Sequence, residues 1–521
     1  MRSPARMAHR ARYAETHMLH LCNATVYDGT GADPQQGDLL IDGMRIVAVG
    51  RFMPPAQAQK IDLCGQAVAP GFIDLHSHSD LHVLGADLAK TRQGVTTEVV
   101  GNCGFSAFPH CGCPDEVGAY NNGILSSTHT FASLREYRTA LNGPQVPAHI
   151  ETLVGHGTLR TAALRKNPAL HGKALTMELC GLLDQALGEG AAGFSTGLMY
   201  APGATAPLSE LQELCTVTAQ HGKLYATHMR SYSWELEAAV DEQLQLARSS
   251  RCRLQISHLQ AAGRANWHRQ QAVLYTIERA HAEGVDVAFD AYPYLAGSTV
   301  LSQLLPQHVW ERGFASYREH IAAPHVRREL ASWLDTHTAQ RWCDILISSH
   351  APFPNGEQLA RQSIADYAEA HQITGGEAVL DLIERSQGQI NIIAFNQSEE
   401  NLRQLLTHPL AAVISDGLYT DGIPHPRLYG SFVHWLGYYV RQLNWLSLPQ
   451  AIYKITGFPA SRLGLRDRGR LTAGSLADIV CFDPAEIASP ATYETPRACP
   501  TGIRAVYRNG AQIYSAVQPA G

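Results

Sequence analysis

Gly71-Phe72-Ile73-Asp74-Leu75-His76-Ser77-His78-Ser79-Asp80 ends the apolar run that begins at Ala67. An unbroken apolar run of this length reads as a buried strand, and two histidines follow it one residue apart. Side chains alternate along a strand, so His76 and His78 point the same way at its end. Two imidazoles aimed at one spot suit a zinc ion. The competing reading, two surface histidines after a strand, is weakened by the histidines and the cysteine that end other apolar runs of the chain.

Further apolar runs recur, each separated by a helical pattern: Thr96 to Cys103, Ala148 to Gly155, Gly193 to Leu198, Leu224 to His228, Leu254 to His258, Val285 to Asp290 and Ala411 to Asp416. With Val68 to His76 they make eight, and strand–helix alternation is the pattern of parallel β/α architecture. The helical segments stop at glycines such as Gly222 and Gly284, where a C-cap needs positive φ. The fold class expected is therefore α/β, a (β/α)₈ barrel. Asp344 to Ser349 and Ile390 to Phe395 also read as strands and fall between the seventh and eighth runs, a stretch too long for one crossover. Residues 300–365 are expected to form an insertion over the barrel mouth, a candidate lid.

Short strand-like runs precede the first histidine pair, and a matching set closes the chain after Asp478. Neither set is large enough for its own core, so the two are expected to pack as one small β-sandwich domain built from both chain ends. The expected division is a tail over 1–17, a β-domain over 18–66 plus 465–521, and a barrel over 67–464. Arg2, Arg6, Arg10 and Arg12 lie in the tail without the apolar core of a secretory signal, and Met7 or Met18 is an alternative start.

Composition narrows the function. In 521 residues, 45% are hydrophobic and 17% charged, the balance of a soluble globular protein. A net charge of −6 without a long basic tract argues against nucleic acid as the main partner. No stretch has the apolar length of a membrane span. Eleven cysteines, an odd number without a repeating framework, point to a reducing compartment, and the cytoplasm is the default location.

The working residues of a barrel sit where its strands end. Here those ends carry His76 and His78, Cys103, His228, His258 and Asp416, with His156 following the third run. Three nitrogen or sulfur donors plus a water is the open arrangement of a catalytic zinc. A closed structural knuckle needs ligands clustered in sequence, and these span more than 150 positions. Cys103 is preferred over Cys111 and Cys113 because it follows the run Val99-Val100, whereas the other two lie in a Pro/Gly loop. A carboxylate at Asp416 beside a metal-bound water can take its proton and pass it to a leaving nitrogen.

Together these motifs resemble the amidohydrolase superfamily, and within it the D-aminoacylase (N-acyl-D-amino-acid deacylase) family, from about Leu19 to Asp483. The most specific is Gly101-Asn102-Cys103-Gly104, and Ala226-Thr227-His228-Met229-Arg230, Asp290-Ala291-Tyr292-Pro293 and Ser415-Asp416-Gly417 stand beside it. The resemblance implies a barrel with a small β-domain and a tight zinc on Cys103, His228 and His258. It also implies a second, weaker metal associated with His76, His78 and Asp416. It puts the substrate's α-carboxylate on Arg427, Tyr292 and Ser298. Relatives acting on acidic side chains carry a lysine two residues after the strand-6 histidine. This chain has Gln260 there and no arginine from Gly297 to Pro306.

The expected activity is hydrolysis of N-acyl-D-amino acids with neutral or apolar side chains, a small-molecule substrate in each case. Alternatives are a dipeptidase on L-Xaa-D-Xaa, a cyclic-amide hydrolase or deaminase, and a non-catalytic scaffold. Oligomeric state is not legible.

Overall fold

The computed structural model describes residues 18–516 apart from 86, 111–130, 144, 311–313, 349–357 and 421. The tail over 1–17 and both Cys111 and Cys113 lie outside the described residues.

Eight parallel strands form the barrel: β1 (Phe72–Asp74), β2 (Val95–Val100), β3 (His149–Gly155), β4 (Gly193–Gly197), β5 (Leu224–His228), β6 (Arg253–Ile256), β7 (Val287–Ala291) and β8 (Ala411–Val413). They neighbour one another in chain order from β1 to β8. Helices including Gly172–Gly188, Leu208–Gln220, Leu236–Ser250 and Gln270–Ala282 return the chain between strands. Gly222 and Gly284 follow two of them with φ of 63° and 93°, the left-handed conformation anticipated for their C-caps. Leucines such as Leu179, Leu183, Leu211, Leu214 and Leu244 bury the helices' inner faces.

The long run read as one strand from Val68 to His76 is divided. Ala67–Pro70 belongs to the terminal sheet, where it pairs with Ile479–Phe482, and the barrel strand starts only at Phe72. Gly71 makes the transition, because a Cβ there would lie 2.1 Å from Thr96 Oγ1 on β2. An apolar run alone does not reveal which of two sheets claims each half.

The chain ends meet in one eight-stranded sheet: Met18–Val26, Gln35–Asp42, Arg45–Gly50, Gln59–Asp62, Ala67–Pro70, Ile479–Phe482, Ile503–Arg508 and Ala511–Ser515. Leu21, Ile41 and Val68 from the front of the chain share a core with Ile479, Cys481 and Tyr507 from its end.

Between β7 and β8, Ala296–Val300, Ile345–Ile347 and Asn391–Phe395 form a three-stranded antiparallel sheet with Asn391–Phe395 in the middle. Leu301, Val309, Tyr317, Leu334, Ile364, Leu380 and Ile392 give this region its own hydrophobic core. The packed unit therefore runs wider than 300–365. No described helix is long and apolar enough to cross a membrane.

Candidate active site

At the end of β1, Ser77–His78 carries the second histidine of the opening motif, with His76 just before it, and both are buried. Cys103 sits in the turn after β2, His228 closes β5, His258 follows β6 and Asp416 follows β8. Three of these, Cys103, His258 and Asp416, have φ of 52°, 35° and 48°. Left-handed backbone is uncommon outside glycine and concentrates at functional sites, where the surrounding structure holds it.

The side chains converge. Cys103 Sγ lies 3.4 Å from His76 Nε2 and 3.5 Å from His258 Nε2, and His228 Nδ1 lies 3.2 Å from His258 Nε2. Asp416 Oδ1 is 3.4 Å from His76 Nε2 and 3.1 Å from His78 Nε2. Tetrahedral zinc, with nitrogen at about 2.0 Å and sulfur at about 2.3 Å, sets neighbouring nitrogens about 3.3 Å apart and a sulfur–nitrogen edge at about 3.5 Å. The observed separations match, so the donor set fits a zinc ion. Among the described residues two overlapping groups bring all their donor atoms within 4.8 Å of one another: His76, Cys103 and His258, and His76, His78 and Asp416. Cys103 stands between the two halves, touching His76 on one side and His258 on the other.

Charge tells the same story. Burial pushes the Cys103 thiol up, but the charge of His76 and hydrogen bonds with His258, His76 and His78 outweigh it and hold it well below the usual thiol range. Burial likewise raises the Asp416 carboxyl, and the Arg427 guanidinium and His76 hold it well below the carboxylate range. Burial alone would depress His78, yet hydrogen bonds with Asp416 and Cys103 bring it to about 9. His228 is pushed well below its ordinary value by burial and then by His258. The Cys103 thiol and the Asp416 carboxyl are thus both held toward their charged forms, with His76 in reach of each.

Arg427 opens the helix Arg427–His434 and is 1% exposed. Its Nη1 meets Asp416 Oδ2 at 2.9 Å, its Nη2 donates to the Ser298 carbonyl at 3.1 Å, and its guanidinium lies 4.7 Å from the Tyr292 ring centre. The Tyr292 hydroxyl, pushed up to about 12 by burial, donates to Gln260 Oε1 at 3.2 Å. Arg427, Tyr292, Ser298, Gln260 and the metal-type residues His78, Cys103, His228, His258 and Asp416 all line one cavity of about 620 Å³.

A model of the amidohydrolase family matches residues 59–514. The chain belongs to the amidohydrolase family. Relatives matched over most of the chain include deacylases. An N-acyl-D-glutamate deacylase of Alcaligenes xylosoxydans xylosoxydans is 36% identical, over 95% of this chain and 93% of its own. A D-aminoacylase of the same organism is 35% identical over 95% and 94%. The crystal structure of N-acyl-D-glutamate deacylase from Bordetella bronchiseptica, complexed with zinc and a phosphonate mimic of the tetrahedral intermediate, has a TM-score of 0.81 and 35% identity, covering 97% of this chain and 98% of that one.

Two residues of this amidohydrolase change standing once seen in space. His156 follows β3 as the other histidines follow their strands, but it does not join them. Its Nε2 lies 2.8 Å from Glu210 Oε1, and Arg160 Nη1 meets the same carboxylate at 2.6 and 2.7 Å. Asp290, quoted in a motif without a role, supports the cluster. Its Oδ1 accepts from the His258 backbone N–H at 2.6 Å and lies 3.7 Å from His76 Nδ1, while Oδ2 accepts from Gln255 at 2.8 Å. Its place at the end of β7 was the available signal, since metal-type histidines usually lean on a carboxylate.

Proposed function

We propose that this amidohydrolase is a zinc-dependent N-acyl-D-amino-acid deacylase, releasing a carboxylate and a free D-amino acid. The observation that carries this reading is one carboxylate, Asp416, shared between a cation-type cluster and a carboxylate-type anchor. Its Oδ1 faces His76 and His78 and its Oδ2 faces Arg427. Cys103, His228 and His258 would hold the tight zinc, with His76, His78 and Asp416 around a weaker second one. Zinc bound there supplies a Lewis acid and brings the pKa of a water to about 7.

The chain's own residues do the rest. Asp416 accepts the attacking water's proton on Oδ1 and returns it to the leaving nitrogen, a carboxylate's usual part in amide hydrolysis. Arg427 offers a planar fork that matches the substrate's α-carboxylate, and the Tyr292 ring and the Ser298 carbonyl hold that fork in place. Anchoring the carboxylate at one side of Asp416 fixes two substituents of the α-carbon, and the cavity wall around the side chain supplies the third contact that separates D from L.

Two features support a neutral side chain. Gln260 lines the cavity without charge, and Arg230, also on the wall, is committed to Glu242 and to the carbonyls of Ala204 and Ala206. The described cavity wall holds no other arginine or lysine apart from Arg427. The described cysteines are free thiols, which suits the cytoplasmic location included in this reading.

The test is a panel of N-acetyl amino acids, D against L, together with L-Xaa-D-Xaa dipeptides, assayed with and without zinc. Turnover is expected for D-methionine- and D-leucine-type substrates and absent for their L forms. Asp416→Asn should keep its tight zinc by metal analysis and lose about 10³-fold in kcat. L preference, or near-normal turnover in that variant, removes the reading.

A further inference from the structure

The barrel has a seam. β1 and β8 are the two ends of the eight-stranded ladder and do not pair with each other. The gap is bridged just beyond them, where Ser77–His78 pairs in parallel with Gly417–Leu418 and the Asp416 N–H donates to the His76 carbonyl at 2.9 Å. His76 and His78 lie on one side of this seam and Asp416 on the other. Their separation, unlike that of Cys103, His228 and His258, is set across the two ends of the eight-stranded ladder, by this short pair and by the side chains beside it.

A buried side-chain network spans the gap. Lys90 is 3% exposed, and its Nζ bonds to Asp74 Oδ2 on β1 and to Ser415 Oγ beside Asp416. It also lies 3.4 Å from Ser77 Oγ and 3.7 Å from Glu98 Oε2 on β2. Glu98 Oε2 accepts from Ser77 and Ser79, each at 2.8 Å. Asp74 accepts from the Ser415 N–H at 3.0 Å and from its hydroxyl at 2.5 Å, and Ser415 Oγ accepts from the Gly417 N–H at 2.9 Å. Ser77 and Ser79 alternate with His76 and His78, and Ser415 precedes Asp416, so the serines turn away from the cation-type side chains toward Lys90.

We infer that Lys90, with Asp74 and Glu98, is a positioning clamp that sets the distance between His76/His78 and Asp416, and so weighs more on the second metal group than on the first. This rests on the metal reading proposed above, and goes beyond it in dividing the two groups by what holds them. A paired lysine between two carboxylates fixes both strands because leaving any member unpaired in this dry setting is costly. Cys103, His228 and His258 follow strands joined by the unbroken ladder from β2 to β6, so no pair among them faces its partner across the seam.

The experiment titrates metal-free protein with Co²⁺ and follows the visible d–d spectrum alongside chelator competition, for wild type, Lys90→Met and Ser415→Ala. Ser415→Ala removes one arm of the clamp without a buried charge, so it remains informative where Lys90→Met does not fold. Wild type is expected to take up two ions. Either variant should weaken the second by tenfold or more and change its spectrum, with the affinity of the first changed by less than about threefold. With substrate, kcat should fall, because Asp416 is displaced from the histidines it faces. Uptake of a single ion by wild type, equal weakening of both ions, or unchanged affinities in Ser415→Ala overturns the inference. The metal readout needs no turnover, so failure of the deacylase reading, seen as an inactive wild type, stays distinguishable.

Discussion

Gln260 shows how much one uncharged side chain decides. It lines the cavity beside Tyr292 and offers no counter-charge to an acidic D-side chain. Gln260→Lys is expected to raise kcat/KM for N-acetyl-D-glutamate about tenfold and to lower it for N-acetyl-D-methionine, because a hydrogen bond to a charged group is worth about 1.5–3 kcal/mol. No gain for the acidic substrate would place the side-chain pocket elsewhere. Glu210 makes a different kind of prediction. Burial raises its carboxyl, but hydrogen bonding to His156 and the charge of Arg160 hold it below the ordinary range, and burial likewise holds His156 down. A carboxyl depressed by folding contributes stability that is fully present above its unfolded pKa and lost as pH falls through the folded value. A histidine held neutral by burial acts in the same direction, costing stability as pH drops below about 6.5. Glu210→Gln should therefore destabilise the protein by about 3 kcal/mol near neutrality, with the difference from wild type shrinking on acidification below the ordinary carboxyl range. Urea midpoints of the two proteins, compared at each pH, cancel contributions from the metal cluster.

Strand boundaries matter at the next scale, because the cluster depends on where each strand stops. The turn after β2 holds Cys103 in left-handed backbone, and β1 starts only after Gly71 has turned the chain out of the terminal sheet. An added methyl at position 71 meets Thr96 Oγ1 at 2.1 Å and Cγ2 at 2.5 Å. Gly71→Ala should cost about 2 kcal/mol, read as a lower denaturant midpoint at unchanged slope. A neutral result would mean that β1 and β2 can separate without disturbing the core. The insertion between β7 and β8 works at this scale too, since it brings Ser298 on Ala296–Val300 against Arg427. Apolar periodicity marked Ile390 to Phe395 as a strand, but could not say that it would become the centre of a separate sheet.

Across the whole molecule, residues from position 76 to position 427 share one buried cluster, so metal binding and folding are linked. A ligand held only by the folded state stabilises it by about 4 kcal/mol when present at a thousand times its Kd. Removing metal with a chelator is expected to lower Tm by several degrees and abolish turnover, with both restored by zinc and the Tm shift reduced in Cys103→Ser. An unchanged Tm would show that the cluster is not a metal site. The cation-type residues were legible because each follows an apolar run, and the barrel translates that position into a common end. The clamp at the seam was not legible. Asp74 and Ser415 are 341 positions apart and look like ordinary members of a strand and a turn.

Sequence by itself determined the alternation of buried strands with helices, and with it the barrel; it also determined which donor types stand at the strand ends, because strand period and burial are local properties of the chain. Tertiary structure decided the remainder: that His156 pairs with Glu210 and stays out of the cluster, that Arg230 is committed to its neighbours, that Asp290 braces His258, and that the barrel closes through Lys90 across a break in its ladder. These are pairings between distant residues, and their energies depend on which groups share the same dry space. No local pattern carries that information.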